Sequence, residues 1–239
     1  MERALDQTLR DLQTDYLDLY LIHWPVSFKQ SGSNLFPQHE DGRIWVTDVP
    51  VAETWKALEA LVKKGKVKSI GVSNFTAEKI EELWKTAEIK PAVNQIEIHP
   101  YFQQEELVQW SKEHGIVIEA YSPLGNNIYN LPRAVDDAKI EEVAKSLGKQ
   151  PAQVIISWVV QRGIVVLPKS VTPSRIKDNF EVFELPQDAF QKINGLDRNH
   201  RYNFPARLGV DVFGEKTVEE LKQGVHNWLV SIGKAVAAN

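Results

Sequence analysis

Two short stretches hold the residue types from which chemistry is built. In "DYLDLYLIHWPVSF", residues 15–28, an apolar strand candidate ends in His23 and Trp24. Alternation along an extended chain puts Leu17, Leu19, Leu21 and His23 on one face, so the imidazole tops a column of leucines where the strand opens into a polar, aromatic mouth. In "LPKSVTPSRIKDNF", residues 167–180, a strand ends in Lys169 and Ser170, passes Thr172 and Pro173, and enters a helix that carries Arg175. A lysine, two hydroxyls, an arginine and the N–H groups of a helix start suit an anion such as a phosphate. A capped helix with solvated charges has the same local pattern. The chain has no cysteine, which excludes disulfides, thiolate nucleophiles and cysteine-based zinc sites; redox chemistry has to come from a cofactor.

The elements that must position these groups repeat. Apolar or alternating runs at 16–24, 67–75, 92–101, 116–124 and 164–170 read as strands, each ending in polar or ring-bearing residues. Helical periodicity fills 51–65, 76–88, 104–115 and the pair 137–148 and 150–163. Strands alternating with helices imply a parallel sheet covered by helices, either an open doubly wound sheet or a closed eight-fold barrel. Both collect function where strands finish, which singles out His23, Ser73, Asn74, Gln95, Tyr121, Ser122, Lys169 and Ser170. No G-x-G-x-x-G follows any strand, so the fingerprint of a Rossmann dinucleotide site is absent.

Other candidates receive plainer readings. Glu97 and Glu119 stand two residues before rim positions, where paired carboxylates suit glycosidase chemistry; a buried polar network is the favoured account. His99 is read as a strand-end histidine bonded to backbone. With 28 basic against 32 acidic residues spread along 239, no basic stripe exists to neutralise nucleic-acid phosphates. No run approaches the ~18 apolar residues of a membrane span, and the amphipathic N-terminal segment lacks signal-peptide character. A cytoplasmic protein without nucleic-acid or membrane partners is expected.

"DYLDLYLIHWP", "GVSNF", "NQIEIHPY", "AYSPLG" and "LPKSVTPSRIKDN", in this order and at these intervals, closely resemble the aldo-keto reductases over residues 1 to about 215. Within the family the chain is most similar to fungal and plant-type reductases of aldehydes, sugars and polyols. The resemblance implies a (β/α)8 TIM-barrel fold, an NADP(H) cofactor held in extended form across the C-terminal rim, and reversible hydride transfer to a small-molecule carbonyl. It assigns His23 to orient the carbonyl and Trp24 to the wall beside it. Ser73, Asn74 and Gln95 take the nicotinamide carboxamide, and Tyr121 becomes its stacking platform. Ser122 and Leu124 lead to the pyrophosphate, with residues 126–130 in a loop over the cofactor. Lys169, Ser170, Thr172 and Arg175 surround the 2′-phosphate, and Asp178 and Asn179 contact adenine. The family more often has glutamate where Asp178 stands. Two cations at the 2′-phosphate favour NADPH over NADH.

The front differs. Members of the family reach the histidine strand after three βα units that supply an aspartate, a tyrosine and a lysine, whereas 22 residues precede His23. An N-terminally truncated chain is therefore expected: one partial barrel domain of about five strands over 1–239, with 215–239 a helical tail. The tyrosine is the family's general acid, and losing such a group costs about 10²- to 10⁴-fold, so impaired turnover is expected. A complete barrel is expected to be monomeric. Five strands cannot close one, which leaves edges open to self-association. Against the reductase stands a catalytically inactive NADP(H)-binding scaffold or sensor.

Overall fold

The structure, a computed structural model, describes residues 1–32, 34–127 and 130–233. Two compact units make it up, one formed by Met1–Ala92 with the segment from Phe204, the other by Val93–Asn203.

In the first unit, α1 (Glu2–Leu12) buries Leu5 and Leu9, one turn apart, and leaves its charged residues outside. Strand β1 (Leu17–Ile22) follows, then a short antiparallel ribbon of β2 (Ser27–Phe28) and β3 (Val46–Thr47), helix α2 (Val51–Lys63), β4 (Val67–Ser73) and α3 (Ala77–Trp84). β1 runs parallel to β4, with Leu17 opposite Val67 and Ile22 opposite Val72. None of the β1 side chains is fully buried, whereas Val67, Ile70 and Val72 of β4 are. Thr76 caps α3 by accepting the Lys79 N–H, as its position before a helical stripe predicts. Buried Glu59 of α2 accepts the N–H groups of Glu88 (2.8 Å) and Ile89 (3.0 Å), while Trp55 donates its indole N–H to the Ile89 carbonyl. These bonds fix the turn that follows α3.

The second unit continues the alternation with β5 (Val93–Glu97), α4 (Glu105–Glu113), β6 (Val117–Tyr121), α5 (Ala138–Leu147), α6 (Pro151–Gln161), β7 (Val165–Val166), α7 (Pro173–Asp178) and α8 (Gln187–Asn194). β5, β6 and β7 are parallel neighbours, Gln95 lying opposite Glu119 and Glu119 opposite Val165. Ile96, Ile98, Ile118 and Ala120 pack against Ile140, Val154, Ile155 and Trp158 of the helices. α6 is buried from Gln153 to Val159, which matches its nearly unbroken apolar run. The chain then returns to the first unit, where α9 (Val218–Ser231) opens on a capping box of Thr217 and Glu220.

Strands thus occur at all five expected positions, with parallel pairing inside each unit. The last is far shorter than 164–170, because Pro168 lacks the N–H that a ladder needs. The β2–β3 ribbon was not expected; its strands are two residues long and leave no periodicity to read. α9 fulfils the helical reading of the tail, although none of its side chains is fully buried. Residues 234–239 of the expected tail lie outside the described residues.

Candidate active site

A cavity of about 740 Å³ in the second unit gathers the ends of two strands and one helix. Ser122 and Leu124 enter it after β6, Lys169 and Ser170 after β7, and Arg175, Asp178 and Asn179 from α7. Seven residues assigned from sequence to the phosphates and adenine of one cofactor therefore line one space. Arg133, also on the wall, is held by Asp136 in a two-pronged pair at 2.7 and 2.8 Å. Among the described residues neither Lys169 nor Arg175 enters an ion pair, so these two cations remain available to a ligand anion. Ser170 Oγ accepts the Thr172 N–H at 3.1 Å and keeps its own hydrogen to donate. Thr172 itself is exposed at the α7 N-cap and makes no side-chain cap bond. α7 spans only six residues, so the anion reading rests on side chains rather than on a helix dipole.

The loop after β6 shapes the opposite wall. Ser122 adopts a left-handed conformation at φ 50°, and the Gly125 N–H closes a turn onto its carbonyl at 2.9 Å. Gly125 is required there: its φ is +75°, and a Cβ would come within 2.5 Å of the Ala134 nitrogen. Asn127 pins the loop base through the carbonyls of Gly125 and Leu131 and the Leu131 N–H. Of the loop expected over the cofactor, Ile128 and Tyr129 lie outside the described residues. Gln95 donates to the Glu119 carboxylate at 2.9 Å, and half-buried Tyr121 ends β6. Neither is among the residues lining the cavity.

The first unit holds the remaining predicted residues. Ser73 and Asn74 end β4 and are buried, with Asn74 in the left-handed region at φ 63°. Non-glycine residues seldom adopt that conformation, which costs on the order of 1 kcal/mol or more and recurs at functional sites. Asn74 Nδ2 donates to the His23 carbonyl at 3.0 Å and to Ser73 Oγ at 3.1 Å, joining the ends of β1 and β4. The His23 ring lies against Trp24 with centroids 5.8 Å apart and planes 19° from parallel. Trp24 meets Phe213 edge-on at 6.1 Å, beside an apolar cluster of Ile44, Leu208 and Val212.

His23 is exposed at one edge, yet the protein atoms packed around the rest of its ring and, secondarily, the Arg207 charge hold its pKa below the ordinary histidine value. The imidazole is therefore neutral at pH 7, suited to donate an N–H bond to a carbonyl oxygen rather than to deliver a proton. Arg207→Ala should raise the His23 pKa. An NMR titration, with the signal assigned by its loss in His23→Ala, should show the midpoint moving towards 6.5 from below; an unmoved midpoint would discount the Arg207 charge. Sequence reasoning missed Arg207, because its approach to His23 depends on the 204–213 segment folding back, which no local pattern marks.

Glu97 and His99 correct one expectation. The His99 side chain bonds the Glu97 carboxylate at 3.0 Å, not backbone, and both side chains are 0% exposed. They stand two apart on extended chain, so they share a side. A carboxylate accepts only, which places the histidine hydrogen on Nε2 and leaves buried Nδ1 without a partner. Glu97 also accepts N–H bonds from Tyr202 and Asn203. A carboxylate sealed by donors in this way belongs to a buried network, as expected, and is not half of a glycosidase pair.

This chain matches the model of the Aldo/keto reductase family over residues 1–198. It is 46% identical over 212 residues to aldo-keto reductase family 1 member A1 of Xenopus tropicalis, covering 86% of this chain and 64% of that one. An uncharacterized oxidoreductase of Schizosaccharomyces pombe is 44% identical over 207 residues, 84% of this chain and 64% of its own. The chain thus spans 64% of the length of these curated relatives. Among solved structures, the aldose reductase of Schistosoma japonicum superposes with a TM-score of 0.82 at 39% identity, covering 90% of this chain and 70% of that one. Parallel strands, helices between them, polar groups at the strand ends and these matches lead to one conclusion: the chain belongs to the aldo/keto reductase family.

Proposed function

We propose that the protein is an NADP(H)-dependent oxidoreductase that reduces aldehydes or ketones, of sugar or polyol type, to alcohols. The observation that carries this reading is the second-unit cavity, which brings together Lys169, Ser170 and Arg175 with Asp178 and Asn179. Two cations without carboxylate partners match a 2′-phosphate in charge, and Asp178 and Asn179 supply polar groups for adenine. When bound, NADPH supplies the hydride. Ser122 and Leu124 would lead from the phosphate cluster towards the pyrophosphate, Tyr121 would stack on the nicotinamide, and Ser73, Asn74 and Gln95 would hold its carboxamide. Thr172, exposed at the α7 N-cap, would complete the phosphate cluster.

His23 orients the carbonyl by donating a hydrogen bond from its neutral ring, with Trp24 as the wall beside it. A neutral imidazole is a poor acid, and none of the residues assigned here replaces the family's tyrosine. We therefore assign these 239 residues a slow turnover, about 10²- to 10⁴-fold below that of a site with a positioned acid. Aldehyde-dependent oxidation of NADPH should be measurable but slow, and should fall further in His23→Ala with NADPH binding retained. A folded chain that binds NADPH without any turnover would favour an inactive NADP(H)-binding scaffold.

A further inference from the structure

Helix α6 is apolar along most of its length, yet one row of it is polar. Gln153, Ser157 and Gln161 stand four residues apart and therefore line up on one side. Each bonds a successive station of the chain that leaves α7. Gln153 Nε2 donates to the Glu181 carboxylate at 3.0 Å and to the Asp178 carbonyl at 3.4 Å. Ser157 Oγ accepts the Phe183 N–H at 3.2 Å. Gln161 Oε1 accepts the Leu185 N–H at 2.9 Å, while its Nε2 donates to the Leu185 carbonyl at 3.3 Å.

Residues 181–186 form neither helix nor strand. The bonds this stretch makes to itself end early, with the Glu181 N–H on the Asp178 carbonyl at 3.1 Å and the Val182 N–H on the Phe180 carbonyl at 2.9 Å. Beyond them the N–H groups of Phe183 and Leu185 are satisfied by α6 side chains, so the polar row fixes where the chain runs after α7. Gln153 and Ser157 are buried, where an unbonded polar group is costly, which holds these rungs in place. Gln153 is the rung beside the cavity, whose wall it shares with Asp178 and Asn179. Its oxygen accepts the Gln150 N–H at 2.9 Å where α6 begins, and both amide hydrogens go to residues 178 and 181. No amide hydrogen is left for a ligand.

We propose that Gln153 is a positioning residue: through the Asp178 carbonyl and the Glu181 carboxylate it holds the C-terminal end of α7 against α6, and so sets the affinity for the adenine end of a dinucleotide. This inference rests on the reading that the cavity takes NADPH. Gln153 acts through Asp178 and Asn179, the residues assigned to adenine, and not through the cations. NADPH and NADH carry the same adenine, so its loss should be felt equally by both, which separates its role from that of Lys169 and Arg175.

Gln153→Glu keeps the acceptor for Gln150 and turns the donor end into a second acceptor, opposite the Asp178 carbonyl and the Glu181 carboxylate. Fluorescence titration should show NADPH and NADH both binding about 3- to 10-fold more weakly, roughly the weight of one hydrogen bond. Gln153→Met, close in shape but without the amide, should show the same loss with no charge added. Adding Glu181→Gln to Gln153→Glu puts a donor opposite the new carboxylate and should return both affinities to within about 2-fold of the wild type. Gln161→Ala, at the far end of the row, should leave them within about 2-fold as well. Hydrogen exchange at the Glu181 N–H should quicken in Gln153→Glu and Gln153→Met, with the Leu185 N–H unchanged. A loss confined to NADPH, or one that Glu181→Gln fails to recover, would overturn the proposal, the second outcome by making Gln153 a direct ligand contact. A wild type that binds neither dinucleotide would instead overturn the cofactor reading, and the affinity claim with it, while exchange at Glu181 still decides whether Gln153 holds α7.

Discussion

Replacing Lys169 or Arg175 by alanine should weaken NADPH binding about 10- to 100-fold while leaving NADH binding within about 2-fold. The estimate follows from charge-assisted hydrogen bonds, worth about 1.5–3 kcal/mol each, where 1.4 kcal/mol is tenfold. Both side chains line the cavity, and among the described residues neither is drawn off by a carboxylate. Their loss should therefore appear in the ligand and scarcely in the fold. Arg133→Ala provides the contrast, since Arg133 is already satisfied by Asp136 at 2.7 Å. Its effect on NADPH should be several-fold smaller. Raising the salt concentration should weaken NADPH more than NADH in the wild type and lose that selectivity in the double variant, because the 2′-phosphate is the charge by which the two dinucleotides differ. Equal losses for both cofactors in Lys169→Ala and Arg175→Ala would place the 2′-phosphate elsewhere.

Glu97→Ala should be the most damaging single change to stability, lowering it by about 3–5 kcal/mol, the usual cost of removing one partner from a buried charged network. The carboxylate is 0% exposed and takes four donors. Truncation strands these donors, and each one left buried without a partner carries a desolvation penalty of about 1–3 kcal/mol. Against a total stability of about 5–15 kcal/mol, that is a large share. Glu97→Gln should cost less, since an amide oxygen in the Oε1 position keeps His99, the Tyr202 N–H and Asn203 Nδ2 while the new N–H₂ group opposes only the Asn203 N–H. Urea unfolding of the three proteins checks the order. Glu119→Ala is the control, because Glu119 is only partly buried and accepts from the Gln95 amide; its loss should stay near about 1 kcal/mol.

Much of this was legible in the residues, for identifiable reasons. β1, β4, β5 and β6 fall in the apolar or alternating runs because one side of each strand has to pack against the core while its other side carries polar residues such as Asp18 and Lys68. The phosphate end of the cavity was legible because Lys169, Ser170, Arg175, Asp178 and Asn179 fall within eleven positions on one strand end and one helix, so their convergence needs no long-range information. β7 was overcalled because apolar composition was weighed above Pro168. The contacts that lay beyond sequence reasoning join distant parts of the chain: Glu97 reaches Tyr202 across 105 positions. Arg207 and Phe213 come to His23 and Trp24 across still longer spans. Glu97 and His99 held a partial signal in their two-residue spacing on a strand, which points to a shared side but not to the donors that fill it.

The most direct test of the account is a calorimetric titration of the folded 239-residue chain with NADPH and, separately, with NADH. One site is predicted, with NADPH at least about tenfold tighter than NADH. Equal affinity for the two, or no heat of binding from a chain shown to be folded, would contradict it.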